Sequence, residues 1–91
     1  MNDEDVTKTP RVQTGSTLAS VPPGIPVRVV AVEGPQETRL RLMELGFVPG
    51  VEVRVIRRAP FGCPLEIDVD GVRYSLRRED CAHLKVAGHD G

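Results

Sequence analysis

The sequence predicts a small, mainly β barrel with one short α-helix inserted after its first strand. Three observations carry this. Residues 65–76 alternate apolar and polar side chains on both sides of Asp70-Gly71, and Asp-Gly between alternating runs is a strong signal for a two-residue hairpin. Three more short runs rich in valine or leucine lie at 26–33, 51–58 and 83–86, each of ordinary strand length. One run, 36–45, has the best helix-forming composition in the chain.

The chain has 91 residues, room for one domain with one modest core. Phe47, Phe61 and Tyr74 are its only aromatics and there is no Trp, so the core must be built from Val, Leu and Ile. Residues 1–16 are polar, carry Asp3, Glu4 and Asp5, and show no hydrophobic period; they predict a disordered tail. Residues 88–91 read the same way, which leaves 17–87 as the folded domain.

The elements follow in order. Leu18 and Val21 are candidate anchors before a Pro22-Pro23-Gly24 turn. Val27, Val29, Val30 and Val32 mark the first strand, with Pro26 tolerated at its start. Gly34-Pro35 breaks it. The helix of 36–45 should end at Gly46 as a left-handed cap. Pro49-Gly50 suits a type II turn, since Pro presets φ and Gly accepts a positive one. Val51, Val53 and Val55 alternate with polar residues, and Ile56-Arg57-Arg58 shifts the pattern, so a bulge or strand end is expected there.

After a loop at 59–64, the hairpin allows its register to be checked. A two-residue turn pairs Val69 with Val72, Ile67 with Tyr74 and Leu65 with Leu76 on one face. On the other it sets Asp68 opposite Arg73. Both faces agree with the turn. Residues 78–81 read as a helical turn, and Leu84 and Val86 should point inward from a last strand. Five short strands favour a closed barrel, which hides its own edges.

The formal net charge is −1, and ten of the twelve cationic residues are Arg. A global field that would attract a polyanion is therefore missing, although Arg suits bidentate contact with carboxylate or phosphate. The N-terminus has no apolar leader, and no apolar run is long enough to span a bilayer. The expectation is a cytoplasmic protein that meets a membrane only through a partner.

The run from Leu42 to Val53, Leu-Met-Glu-Leu-Gly-Phe-Val-Pro-Gly-Val-Glu-Val, resembles the signature of the FeoA family. So does Arg58-Ala59-Pro60-Phe61-Gly62-Cys63-Pro64-Leu65, which is similar to the family's Ala-Pro-x-Gly-x-Pro loop. Ser75-Leu76-Arg77 and the opening stretch from Leu18 to Gly24 fit as well. The resemblance covers about 17–87. Two departures are Cys63, where the family often has Asp, and Cys81, where a small residue is usual. The resemblance implies a five-stranded SH3-like barrel with a helix after the first strand. It also implies an accessory or regulatory role beside FeoB, a ferrous-iron transporter with a GTP-binding domain. A related domain ends some iron-dependent repressors, but no helix-turn-helix precedes it in this sequence. A true SH3 domain's peptide-binding aromatics are missing, so recognition of Pro-rich peptides is not expected.

Candidate contacts with FeoB's cytosolic part are Arg39, Arg41, Leu42, Leu45 and Phe61. Along a helix of ~100° per residue, Leu40, Met43 and Phe47 form one stripe, and Thr38, Leu42 and Leu45 form a nearly opposite one. Either the short helix is buried on both sides, or one stripe is free for a partner. Arg39 and Arg41 flank the stripes and either reach acidic groups or are simply solvated. Phe61 tips the 60–64 loop; it either anchors an interface or folds back onto the barrel.

Cys63, Cys81, His83 and His89 are the obvious metal-ligand types. Cys81-x-His83 is not a zinc spacing and there is no Cys-x-x-Cys, so neither a metal site nor a cofactor is expected. No catalytic motif or phosphate loop can be placed, and an enzyme is not expected. The alternative function is a nucleic-acid-binding barrel or a detached repressor-type regulatory domain, with Arg54, Arg57, Arg58, Arg73, Arg77 and Arg78 as its basic residues. Few stacking aromatics and the balanced charge count against it.

Overall fold

A computed structural model describes residues 16–88. The expected tails therefore lie outside the described residues except at their inner ends: Ser16 and Gly88 are both in strands. His89 also lies outside them.

Ten elements follow in order. They are β1 (Ser16–Thr17), a 3₁₀ turn (Leu18–Ser20), β2 (Pro26–Val32), α1 (Gln36–Glu44), β3 (Glu52–Arg58), a second 3₁₀ turn (Pro60–Gly62), β4 (Leu65–Val69), β5 (Val72–Leu76), α2 (Arg78–Cys81) and β6 (Leu84–Gly88). The strands form one antiparallel sheet in the order β1-β6-β2-β3-β4-β5. The sixth strand, beyond the five expected, is β1. It pairs Ser16 with Val86 and Thr17 with Lys85. Two residues carry no period, so their pairing is set by β6 and not by their own pattern.

The β4–β5 register is the one the turn chemistry dictates, with Val69 opposite Val72, Ile67 opposite Tyr74 and Asp68 opposite Arg73. Asp70 and Gly71 both have positive φ, +55° and +87°, as a type I′ turn requires. The Asp68 carboxylate accepts the Gly71 N–H at 3.0 Å. A register shift falls between Val55 and Arg57, at the Ile56 bulge. A second, unforeseen shift falls between Val29 and Ala31; Val30 is exposed, as alternation from buried Val27 and Val29 requires.

The sheet curls around a single core. Leu18, beside β1, and Leu76, on β5, belong to the same buried cluster as Val27, Val53, Ile67 and Leu84. α1 closes one side. Its end is a Schellman motif: the Phe47 N–H donates to Leu42 O at 3.1 Å and the Gly46 N–H to Met43 O at 3.0 Å. Gly46 has φ +110°. This turn drives Phe47 inward, where it is fully buried and meets the Tyr74 ring at 5.9 Å between centroids.

Candidate docking surface

The 59–64 loop is built to present a side chain. Ala59 N–H donates to Pro64 O at 3.0 Å and Gly62 N–H to Ala59 O at 2.8 Å, which pins both ends of a tight turn. Phe61 sits in that turn with φ +70°. The left-handed region costs a side chain with Cβ roughly 1–2 kcal/mol. Phe61 is also fully exposed, so neither packing nor backbone preference explains a large aromatic there. The loop is braced from α2. Arg78 N–H donates to Cys63 Sγ at 3.3 Å, and the Arg78 guanidinium lies so close to Gly62 that an added Cβ would sit 3.0 Å from Nη2.

On α1 the question of the two stripes is resolved. Leu42 has 0% of its surface exposed, whereas Leu40 has 52% and Met43 40%. Leu42, expected at the docking face, is therefore a core residue and no contact for a partner. The Schellman turn explains this, because it folds Phe47 onto the Leu42 side of the helix and leaves Leu40 and Met43 outside. Sequence reasoning could not choose between stripes on a nine-residue helix that is apolar on both.

The two helix arginines differ. Arg39 Nε donates to Gly34 O at 3.1 Å and so ties the helix to its own entry. Arg41 Nη2 reaches Asp80 Oδ1 at 2.7 Å and links α1 to α2. Half-exposed as it is, that pair contributes on the order of 0–1 kcal/mol. Arg41 and half-buried Leu45 line an open groove of about 480 Å³ together with Ser75, Leu76, Arg77, Glu79 and Asp80. The structure thus brings Arg41 and Leu45 together; Arg39, Leu42 and Phe61 do not line this groove.

Among the described residues, no group of three or more His, Cys, Asp and Glu is placed to hold a metal. The His83 ring packs on Gly34, where an added Cβ would fall 2.7 Å from Nδ1. Cys81 is buried and Cys63 exposed, both as free thiols. Burial, and after it the Asp80 carboxylate, pushes the Cys81 thiol up from 9.0 to about 12. The basic side chains do not share one face of contacts. Arg57 pairs with Glu66 at 3.5 Å, Arg58 donates to Val21 O at 2.8 Å and Arg28 to Gly50 O at 2.9 Å.

Comparison with known proteins follows the same lines. The family model of the FeoA domain matches residues 16–87. A Fe(2+) transport protein A/Fe(2+) transporter FeoB fusion protein of Porphyromonas gingivalis is 40% identical over 58 residues, 64% of this chain. The chain spans only 7% of that protein's length. The crystal structure of Stenotrophomonas maltophilia FeoA complexed with zinc, described as a prokaryotic SH3 domain protein, is 34% identical. It superposes with a TM-score of 0.68, covering 77% of this chain and 87% of that one. A manganese-dependent transcriptional repressor reaches a TM-score of 0.76, covering 82% of this chain and 37% of that one, at 15% identity. That likeness is one of fold alone.

Proposed function

Because the chain belongs to the FeoA family, we propose that it is a cytosolic accessory protein that docks on the cytosolic part of an FeoB-type ferrous-iron transporter and modulates its transport or GTP turnover. The observation that carries this reading is the fusion relative, in which a segment like this chain shares one polypeptide with FeoB. Two domains joined covalently act at high effective concentration on each other, and a separate chain must replace the linker with a docking surface. Phe61 and the Leu40–Met43 stripe supply exposed apolar groups for it. Aromatic anchors of this kind carry much of the energy in protein interfaces.

The test is retention of the transporter's cytosolic GTP-binding portion on immobilised protein, with a GTP analogue and with GDP. Retention in at least one nucleotide state is expected. Phe61→Gly should weaken it about tenfold or more while leaving thermal stability unchanged or raised, because Gly accepts the positive φ. Absence of retention in both states would sink the reading.

A further inference from the structure

β5 is the last strand of the sheet, and among the described residues nothing pairs with its outer side. Val69 and Val72 flank the two-residue turn and exchange hydrogen bonds, as do Ile67 with Tyr74 and Leu65 with Leu76. The backbone N–H and C=O groups of Arg73 and Ser75 therefore point away from β4. Free edges of this kind are templates for an added strand, and proteins commonly blunt or cover them.

The side chains along this edge alternate in kind. On the inner face Val72 is exposed and Tyr74 half-buried. On the outer face Arg73, Ser75 and Arg77 are exposed. Neither Arg73 nor Arg77 makes an ion pair among the described residues. The edge runs directly into the groove of about 480 Å³, which Ser75, Leu76 and Arg77 share with Leu45 and Arg41. The Asp80 carboxylate in that groove is already engaged by Arg41.

We infer that the β5 edge and the adjoining groove form a strand-addition site for an extended acidic–apolar segment of the transporter's cytosolic part. This rests on the docking reading above and adds the β5 edge and groove to the contacts offered by Phe61 and the Leu40–Met43 stripe. Main-chain bonds to Arg73 and Ser75 hold the segment. Its apolar residues cover Val72 and Tyr74, and one reaches Leu45 and Leu76 in the groove. Its carboxylates meet Arg73 and Arg77. Strand addition with alternating pockets is an established mode of peptide recognition. A second copy of this chain is a poor occupant, since antiparallel β5–β5 pairing would set Arg73 and Arg77 of both copies on one face.

The test combines amide hydrogen exchange with binding of the transporter's cytosolic portion. In the complex, the Arg73 and Ser75 amides should become protected. Ser75→Pro removes only an outward N–H, which an edge strand tolerates, and should weaken binding about tenfold or more. Should that variant fold poorly, Arg73→Glu with Arg77→Glu tests the same edge without touching the backbone, and it should weaken binding and flatten its salt dependence. Binding with no protection at Arg73 and Ser75, and unaffected by either variant, overturns the inference and leaves the docking reading standing. Protection that appears without the transporter overturns the assigned occupant; it would be traced to a second copy if it rises with concentration, and to residues 1–15 if it vanishes on their removal. Failure of the wild type to bind at all sinks the docking reading and this inference with it.

Discussion

Cys63 and Cys81 are the same side chain in opposite circumstances. Cys63 is exposed on the loop, and Cys81, the last residue of α2, is buried with its thiol pushed up to about 12, by burial first and Asp80 second. The thiolate is the reactive form. Iodoacetamide at neutral pH should therefore label Cys63 in the native protein and Cys81 only after unfolding, as read by mass spectrometry. The same shift has a consequence for stability. Between 9.0 and about 12 the folded chain keeps a proton at Cys81 that the unfolded chain releases. Stability is thus unaffected by this group below 9.0 and falls as pH rises through that window, by up to about 1.4 kcal/mol per pH unit. Urea midpoints for wild type and Cys81→Ala, compared at neutral pH and about pH 10, should show the wild type losing more on the alkaline side. The sequence left open whether either thiol has a metal or redox role, and it could not say which was buried. The orientation of Phe61 was equally hidden, since it depends on one φ angle that Pro-Phe-Gly does not announce.

The hairpin and α1 show what a short element can and cannot declare. The β4–β5 register was legible to the residue because the turn type, the apolar face and the Asp68–Arg73 pair each demand the same pairing. The helix was legible in extent and in its Gly46 stop, but not in which side it buries. That choice belongs to the Schellman turn and to Phe47, which lies beyond the last helical residue. Leu42→Ala should cost about 3 kcal/mol, within the range for deleting a fully buried leucine, as measured by urea unfolding. Leu40→Gln with Met43→Gln should change stability by no more than about 0.5 kcal/mol while reducing retention of the transporter portion. Equal destabilisation by both sets would mean that both stripes are core. β1 and the Val30 bulge were illegible because each is imposed by a neighbouring strand.

For the whole molecule, charge distribution argues against the nucleic-acid alternative. Binding a polyanion relies on many phosphate contacts from one basic surface. Here the net charge is −1, and of the six arginines named for that alternative Arg57 and Arg58 already bond Glu66 and Val21 O. Fluorescence anisotropy with labelled single-stranded RNA should show no binding tighter than about 10⁻⁴ M near 150 mM salt; tight, steeply salt-dependent binding would revive that alternative. The fold class, though not its sixth strand, followed from the number of short strands, as the curled sheet requires. The position of β6 carries a last consequence. The last described strand, β6, lies between β1 and β2, so among the described residues β1 has no partner strand until β6 has been made. Completion of the sheet waits for β6, and pairings between such distant segments form slowly. A nascent chain stalled before Leu84 would leave β1 and the β6-facing edge of β2 unpaired, an invitation to chaperones and proteases that β6 withdraws at those two strands.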